Sequence, residues 1–463
     1  MRRLIFLVVL CTIIALPLAA QNTDIESLSG LQFNFGNPGA RSLGMGGAFL
    51  GLADDASAAE ANPAGLTILR KTEFSIEARN YEESQIFSTT GTFPDVTRTA
   101  FQHFSPRVDP TFASVIVPIK NFRIGAYYHQ PLKNAGVGFV APQRNTFTGA
   151  VEADVPNFFL PRDGTGPVSQ AQCEAIRQQA NDPFACLEYT TIPFISSLDL
   201  EERTYGLAGA WQFGKLSLGA TARYQQFKEY AQTLRLSSQL ETLSQVVQAT
   251  GKVNSAGVVQ VQAQHDVTFT VGFKFDATDK VSLGGVYKKG PKFTAPTFVA
   301  TFATNFDYVP LADTTFHMPD VAGLGVSVRP IPVWTVNLDA VHVKYSNLVD
   351  DFVSINDTVR QLSKPFAARD VTELHLGTEY FFSTKIPFAL RAGFWRDPAH
   401  ATQYVGPLDQ PDRVAAAMLF PQGRSQNHKS IGAGLAWPRF AIDAAYDSSP
   451  NYKVGSISVV ARY

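Results

Sequence analysis

The sequence predicts an all-β protein: a transmembrane antiparallel β-barrel of about 14 strands with an N-terminal hatch, or plug, inside its lumen. Three observations predict this class. An export signal opens the chain, a glycine-rich segment follows it, and segments with one apolar and one polar face fill the remainder. We expect 1–20 to be the signal peptide, 21–67 the hatch, and 68–463 the barrel with long extracellular loops.

The N-terminus has the pattern of a secretory signal. Two arginines precede an apolar run, 4–18, which ends in two alanines before polar residues begin. The run is too short for a spanning helix, and no later segment approaches the ~20 uninterrupted apolar residues that a helical span needs. Cys11 follows Leu10 rather than a small residue, which disfavours a lipoprotein signal. An exported chain of this kind is expected in the outer membrane of a Gram-negative-type bacterium, as a multi-pass protein.

The segment 21–67 is one that a plain barrel does not need. Its dense glycines permit tight backbone packing, as a compact segment inside a barrel requires. It is not a phosphate loop, because the lysine and the preceding strand of that motif are both missing. The hatch prediction is carried by Gly44, Gly46, Gly47, Asp54, Asp55, Asn62, Pro63 and Ala64.

Alternating segments fill the rest of the chain. In the last one, 452–463, one face is wholly apolar and ends at Tyr463. Successive side chains of a strand point to opposite faces, and the sequence has few helices to cover such a face, so we expect it to meet lipid. This C-terminal strand is also the expected signal for the barrel-assembly machinery. The predicted strands are 72–84, 111–119, 122–132, 202–213, 216–230, 262–276, 280–291, 320–329, 333–345, 371–382, 386–396, 428–437, 439–447 and 452–463.

Connections between these strands alternate in length, as the periplasmic turns and extracellular loops of outer-membrane barrels do. Trp211, Trp334 and Trp437 stand beside short turns, which is typical of an interfacial aromatic belt. The predicted long loops are 85–110, 133–201, 231–261, 292–319, 346–370 and 397–427.

Two of these loops contain apolar stripes that predict a hydrophobic groove at the outer mouth of the barrel, here called the outer groove. Exposed apolar patches usually mark a binding surface, although the stripes could equally pack on each other to hold the loops shut. The groove residues are Leu240, Leu243, Val246 and Val247 in one loop, and Phe298, Phe302 and Phe306 in the other.

Charged side chains are predicted on the lumenal face of the wall. The arginines could pair a substrate carboxylate; the favoured alternative is that they pair with inward carboxylates and hold the hatch to the wall. These lumenal charges are Arg79, Arg123, Arg223, Arg391, Glu373 and Glu379.

Composition supports a membrane barrel and excludes some partners. Charged residues make up 17% of the 463 residues and aromatic residues 12%. Without the signal, 37 basic and 40 acidic residues give a net charge of −3, which does not favour binding to nucleic acid. Cys173 and Cys186 are close in sequence on an exported chain, so we favour a disulfide over a metal site, which would lack nearby histidines. No cofactor is expected.

At the N-terminal segment the sequence resembles the FadL-type long-chain fatty-acid transporters of the outer membrane. The matching residues are the 44–47 glycine step, the 53–56 Ala-Asp-Asp-Ala step and Asn62-Pro63-Ala64 before the first strand. The resemblance implies a monomeric barrel whose hatch fills the lumen. It also implies passage of fatty acids or aromatic hydrocarbons from an outer groove to an inner pocket. Hatch movement would then open a lateral exit at a kinked third strand, which here holds Gly125 and Pro131.

The predicted function is therefore transport of a hydrophobic small molecule, without enzymatic chemistry. A surface scaffold or shuttle for secreted proteins is the main alternative, since apolar loops suit a protein partner too. No serine elbow or metal helix accompanies the eight histidines, which disfavours an outer-membrane lipase or esterase. The hatch argues against a nonspecific polar pore.

Overall fold

The computed structural model describes residues 36–90, 98–140, 143–144, 151–153, 157–190, 194–236, 253–295, 297–301, 309–310, 314–350, 365–410, 413–414, 417, 420 and 422–463. The predicted signal, 1–20, and the first part of the predicted hatch lie outside these residues.

Fourteen antiparallel strands close into a barrel, which confirms the predicted fold class and strand number. Each strand pairs with its neighbours in sequence, and the last pairs with the first. The strands are β1 (Glu73–Thr90), β2 (Arg98–Ile119), β3 (Phe122–Val140), β4 (Phe194–Phe213), β5 (Leu216–Leu236), β6 (Val253–Thr278), β7 (Val281–Lys288), β8 (Val321–Ile331), β9 (Trp334–Val343), β10 (Val371–Phe382), β11 (Phe388–Asp397), β12 (Gln426–Ala436), β13 (Phe440–Ser448) and β14 (Tyr452–Arg462).

One end of the barrel carries the short turns 120–121, 214–215, 279–280, 332–333, 383–387 and 437–439, and the other carries the long connections. At the long-loop end, strands β1 to β6 continue well past their predicted limits. The predicted loops 85–110, 133–201 and 231–261 are therefore partly wrong, because the flanking strands extend into them. Outward side chains there are charged, for example Lys133, Glu201 and Arg203. The apolar-polar alternation stops where a strand leaves the lipid, although its backbone pairing continues.

The wall has an apolar outer face and a polar inner face. On β1, Phe74 and Ile76 are exposed outwards, whereas Glu73, Glu77 and Arg79 are buried on the lumenal side. The same alternation recurs on every barrel strand, and it is the pattern of a wall that meets lipid outside and polar groups inside.

Aromatic side chains cluster at the short-turn end. Trp211 packs against Phe122 and Phe213, with ring centroids 6.0 Å from each. Trp437 stacks on Phe440 at 4.4 Å. These rings lie where an interfacial belt is expected.

The structure also contains helices and short strands besides the fourteen barrel strands. Helices α1 (Ala40–Gly44) and α2 (Ala58–Ala61) and the 3-10 helix Pro63–Ile68 precede β1, while α3 (Gln170–Ala180) and α4 (Asn347–Asp350) belong to loops. Within the described ranges, none of these helices is long and apolar enough to cross a membrane. The loops also hold the short strands Gln143–Arg144, Val151–Ala153, Asn157–Pro161, Cys186–Thr190, Lys292–Ala295, Thr297–Thr301, Val309–Pro310, Thr314–His317, Phe366–Ala367 and Gln403–Tyr404.

Candidate functional site

Residues 36–69, here called the N-terminal segment, lie inside the barrel. Almost every residue from 38 to 67 is buried, and four of the backbone N–H groups donate to carboxylates that point inwards from the wall. Glu77 on β1 accepts from the Gly39 N–H at 3.0 Å. On the opposite side of the barrel, Asp339 on β9 accepts from the N–H groups of Phe49 at 2.6 Å and Leu50 at 2.8 Å. The segment thus spans the lumen.

Glycines allow the backbone of this segment to lie directly on the backbone of the wall. Gly46 has φ 63°, a conformation that residues with a side chain rarely adopt. It contacts Gly393 of β11, where an added Cβ would lie 2.1 Å from the Gly46 nitrogen. At Gly284 of β7, a Cβ would lie 2.0 Å from the Leu50 carbonyl oxygen. Side chains at these points would push the segment off the wall.

The two aspartates predicted for the hatch pair with Arg41 of the same segment, and Arg41 connects the segment to the wall. Arg41 contacts Asp54 at 2.5 Å and Asp55 at 3.6 Å, and reaches Glu379 of β10 at 2.8 Å. Burial raises the pKa of Asp55, and the charge of Arg41 opposes that rise.

Asn62, Pro63 and Ala64 form a corner at the end of α2. The Asn62 side-chain amide donates to the carbonyls of Leu50 and of Phe273 on β6, at 3.1 and 3.0 Å. Its Oδ1 accepts from the Ala64 N–H and caps the 3-10 helix, in which Pro63 is the first residue. Gly44 ends α1 against β12, and Gly47 (φ 78°) packs on His375.

The predicted lumenal arginines have partners within the protein. Arg79 contacts Glu77 at 2.7 Å. Arg391 contacts Glu379 at 2.6 Å and Asp443 at 2.7 Å. These pairs lie within the wall, and the N-terminal segment joins them because Gly39 donates to Glu77 and Arg41 contacts Glu379.

The other predicted lumenal charges also have partners. Arg123 donates to the Leu69 carbonyl. Glu373 accepts from His375 at 3.2 Å and from the Tyr345 hydroxyl at 3.3 Å. Arg223 lies beside a cavity.

That cavity occupies the lumen between the N-terminal segment and the long-loop end. Its empty volume is about 830 Å³, including its open mouth. One part of the lining is apolar: Leu50, Pro131, Val286, Met318, Val321 and Val341. The polar part includes Glu60, His129, Glu202, Arg223, Lys288 and His375. Concave, partly apolar sites with a few convergent polar groups are typical of small-molecule pockets.

Glu60 of α2 organises the charges of the cavity. It contacts Lys288 at 3.1 Å and Arg223 at 3.8 Å, and it accepts a hydrogen bond from the Tyr127 hydroxyl. Burial alone raises the pKa of Glu60, but the charges of Lys288 and Arg223 outweigh it and lower the pKa to about 2. Both cations of the described lining are therefore engaged by one carboxylate of the segment.

An apolar cluster, here called the aromatic roof, covers the cavity towards the long-loop end. The short strands Lys292–Ala295 and Thr314–His317 pair with each other and bring Phe293 and Phe316 onto Phe227 of β5. The ring centroids are 5.0 and 4.6 Å from that of Phe227. Met318 belongs to both the roof and the cavity lining. The remaining roof residues are Leu200, Val343, Tyr345, Leu348, Ala368 and Val371.

The wall beside the cavity has a gap in its hydrogen bonding. β2 and β3 pair up to Phe112–His129 and again from Phe104–Gly136, with no register pairs between these points. Three prolines fall in this interval, Pro106 and Pro110 on β2 and Pro131 on β3. Proline has no N–H to donate, so these residues interrupt the ladder.

One ionic contact crosses this gap. Lys133 of β3 contacts Asp109 of β2 at 2.7 Å. Glu201 of β4 lies 4.0 Å from Lys133 and contacts Arg203 at 2.9 Å. On the inner side, His129 and Pro131 line the cavity. At the gap, side chains alone separate the cavity from the outside of the barrel.

The predicted outer groove falls largely outside the described residues. This holds for Leu240, Leu243, Val246, Val247, Phe302 and Phe306. Phe298 lies on the strand Thr297–Thr301 and pairs in register with Val258 of β6. Cys173 and Cys186 form a disulfide with an S–S distance of 1.95 Å, which joins α3 to the strand Cys186–Thr190.

Sequence reasoning missed two parts of this site. Glu60 stands in no pattern that marks it as the charge centre of the cavity. The sequence did contain a signal for the gap between β2 and β3. Pro106 and Pro110 lie within β2, and prolines in paired strands mark interruptions of the ladder. Inward-facing Tyr127 and His129 follow from the alternation along β3.

Comparisons with known proteins agree with this architecture. Residues 185–409 match the family described as outer membrane protein transport protein (OMPP1/FadL/TodX). No curated protein matches the sequence. Among solved structures, the toluene transporter TodX of P. putida is 17% identical with a TM-score of 0.57, over 93% of this chain and 99% of that one. The toluene transporter TbuX of Ralstonia pickettii is 16% identical with a TM-score of 0.57, over 93% and 99%.

A FadL homologue of Pseudomonas aeruginosa has the same fold, with 15% identity and a TM-score of 0.55 over 94% of this chain and 99% of that one. At such low identity these structures establish the fold, while the family match covers 185–409. Together they confirm the resemblance indicated by the N-terminal motifs. The chain is a multi-pass outer-membrane β-barrel that has the fold of the solved FadL/TodX transporters, and its residues 185–409 match the model of that family.

Proposed function

We propose that this protein carries hydrophobic small molecules across the outer membrane and releases them sideways into the bilayer. The substrate enters at the long-loop end beneath the aromatic roof, occupies the lumenal cavity, and leaves through the gap between β2 and β3. The observation that carries the proposal is that His129 and Pro131 line the cavity and also flank the gap.

The N-terminal segment supports sideways release. It acts as the predicted hatch by filling the lumen below the cavity, where Asp339 and Glu379 bind it to the wall. Passage along the bore would break these contacts, whereas the gap has no ladder to break. A substrate in the cavity would touch Gly47 and Leu50 of the hatch. A bound substrate would therefore contact the hatch directly, and we propose that the hatch rearranges when the substrate is released.

The charge arrangement favours a neutral hydrocarbon over a fatty-acid anion. A substrate carboxylate would have to displace Glu60 from Lys288 and Arg223. An apolar molecule needs no such exchange and gains about 0.8 kcal/mol for each buried CH₂. The solved toluene transporters of the same fold agree with this choice.

Cross-linking across the gap tests the route. The variant Asp109→Cys with Lys133→Cys, joined by a cleavable bis-maleimide, should lower cellular uptake of labelled toluene at least tenfold. Cleaving the linker should restore uptake. The control is Val115→Cys with Ala126→Cys, a pair that faces each other where the β2–β3 ladder is intact. Cross-linking there should change nothing.

Uptake that is unaffected by the cross-link at the gap would refute sideways release. If neither toluene nor oleate uptake depends on the protein at all, transport itself is refuted and the surface-scaffold alternative is favoured. Oleate uptake that exceeds toluene uptake would refute the preference for neutral substrates.

A further inference from the structure

One carboxyl group of the lumenal cavity takes no part in holding the N-terminal segment. Glu202 of β4 lines the cavity and is fully buried. Its Oε1 accepts from the Thr204 hydroxyl and from the Gln225 side-chain amide, each at 2.8 Å. Its Oε2 is buried too, and among the described residues it has no hydrogen-bond partner. The two bonds to Oε1 hold the carboxyl group in place, while Oε2 can still bind a further group.

The two cations of the cavity are engaged elsewhere. Lys288 contacts Glu60 at 3.1 Å, and Arg223 contacts the same carboxylate at 3.8 Å. Within the described part of the chain, Glu202 forms no ion pair. Leaving a buried carboxyl oxygen unpaired is costly, so such an atom in a cavity indicates that a partner binds there.

Apolar side chains lie next to this carboxyl group, on the side of the aromatic roof. Glu202 pairs in register with Phe227, and Leu200 is two residues before it on the same face of β4. Both belong to the roof. Met318, also a roof residue, lines the cavity together with Glu202. A ligand beneath the roof would therefore meet apolar groups and one free carboxyl oxygen, a combination that orients small molecules in pockets.

Glu202 also lies beside the proposed exit. The β3–β4 pairing passes from Thr204 to Glu202 across a bulge in β3 that contains Pro131. Bulges occur next to functional sites, where they redirect side chains. Pro131 also flanks the gap between β2 and β3. A group bound to Glu202 would thus be held next to this gap.

We propose that Glu202 binds the hydroxyl group of a neutral hydrophobic alcohol or phenol, whose apolar body lies beneath the aromatic roof. This inference rests on the proposed transport of neutral hydrophobic molecules, and it names the polar group that the cavity recognises. A hydroxyl group both donates and accepts, so it can bond to Oε2 whether the carboxyl group is ionised or protonated. A hydrocarbon leaves Oε2 unpaired, and a substrate carboxylate would bring a second negative charge beside an ionised Glu202.

Equilibrium dialysis with p-cresol and p-xylene tests this assignment, because the two molecules differ only by a hydroxyl in place of a methyl group. The protein is held in lipid nanodiscs, and binding to empty nanodiscs is subtracted. Glu202→Leu should lower the affinity for labelled p-cresol by about tenfold or more, which is what loss of a hydrogen bond to a charged group costs. The affinity for labelled p-xylene should stay the same or rise. Glu202→Gln should keep most of the affinity for p-cresol, because an amide can still bond to a hydroxyl group.

Thr270→Val is the matched control. The Thr270 hydroxyl is also buried without a hydrogen-bond partner among the described residues, but Thr270 does not line the cavity. This variant should bind both molecules as the wild type does. Heat-dependent migration in SDS gels checks that each variant forms a closed barrel.

Equal loss of both ligands in Glu202→Leu, or unchanged binding of p-cresol, would overturn the proposal. A wild-type protein that does not bind p-cresol would overturn it as well. The proposed transport is tested separately by toluene uptake in cells, so its failure is distinguishable from failure of the hydroxyl site.

Discussion

Replacing Asp339 with alanine should detach part of the N-terminal segment while the barrel stays closed. The Asp339 carboxylate is fully buried and accepts from the N–H groups of Phe49 and Leu50 at 2.6 and 2.8 Å. Without it, two buried donors lose their acceptor, and each such loss costs about 1–3 kcal/mol. Docking of the segment should therefore weaken by about 2–6 kcal/mol.

Hydrogen exchange of the purified protein measures this change directly. Exchange through local opening becomes about tenfold faster for every 1.4 kcal/mol of lost stability. Amides of 46–56 should thus exchange at least tenfold faster in Asp339→Ala. Asp339→Asn should have a smaller effect, since the amide oxygen can still accept one of the two bonds.

Asp447→Ala is the matched control for this experiment. Asp447 is also a buried lumenal aspartate, but its partners Trp395, His428 and Ser430 all belong to the wall. Its loss should leave exchange of 46–56 unchanged. If both variants accelerate that exchange equally, or if Asp339→Ala does not, then the carboxylate does not anchor the segment as argued.

Two further predictions concern the same segment. Glu60→Gln should weaken its docking at pH 7. In the wild type the pKa of Glu60 is about 2, below its ordinary value of 4.5. This difference corresponds to a contribution of about 3 kcal/mol to the docking of the segment. The contribution is complete above pH ~4.5 and is lost as the pH falls towards 2. Limited proteolysis should cleave the segment of the variant faster than that of the wild type at pH 7, and the difference between the two proteins should narrow as the pH falls towards 2. Gly393→Ala should also loosen the segment, whereas Gly455→Ala, where nothing lies within 4 Å of an added Cβ, should not. Equal exchange rates of 46–56 in these two glycine variants would contradict the close-packing argument.

Periodicity predicted the barrel well wherever strands cross lipid. The short-turn ends of β3, β5 and β9 fall within a residue of their predicted positions. A lipid-facing strand must place apolar groups outwards at every second residue, and this requirement is visible in sequence. Above the membrane the requirement lapses, so β2 begins at Arg98 instead of 111.

The candidate site was less predictable because its parts come from distant places in the chain. Glycine density indicated a compact segment in the lumen, yet nothing local showed that Gly46 would meet Gly393. Inward arginines were expected from alternation, but their partners depend on the barrel's closure. Arg223 meets Glu60 only because α2 is held against β5.

Local chemistry in the sequence was thus enough to determine the outward apolar face, the number of strands and the presence of an inner segment. Each follows from the spacing of neighbouring residues. The tertiary structure decided which charges pair, where the cavity lies, and that three prolines from two strands open the ladder beside it. Those features depend on contacts between residues far apart in the chain, and such contacts exist only once the barrel has closed around its N-terminal segment.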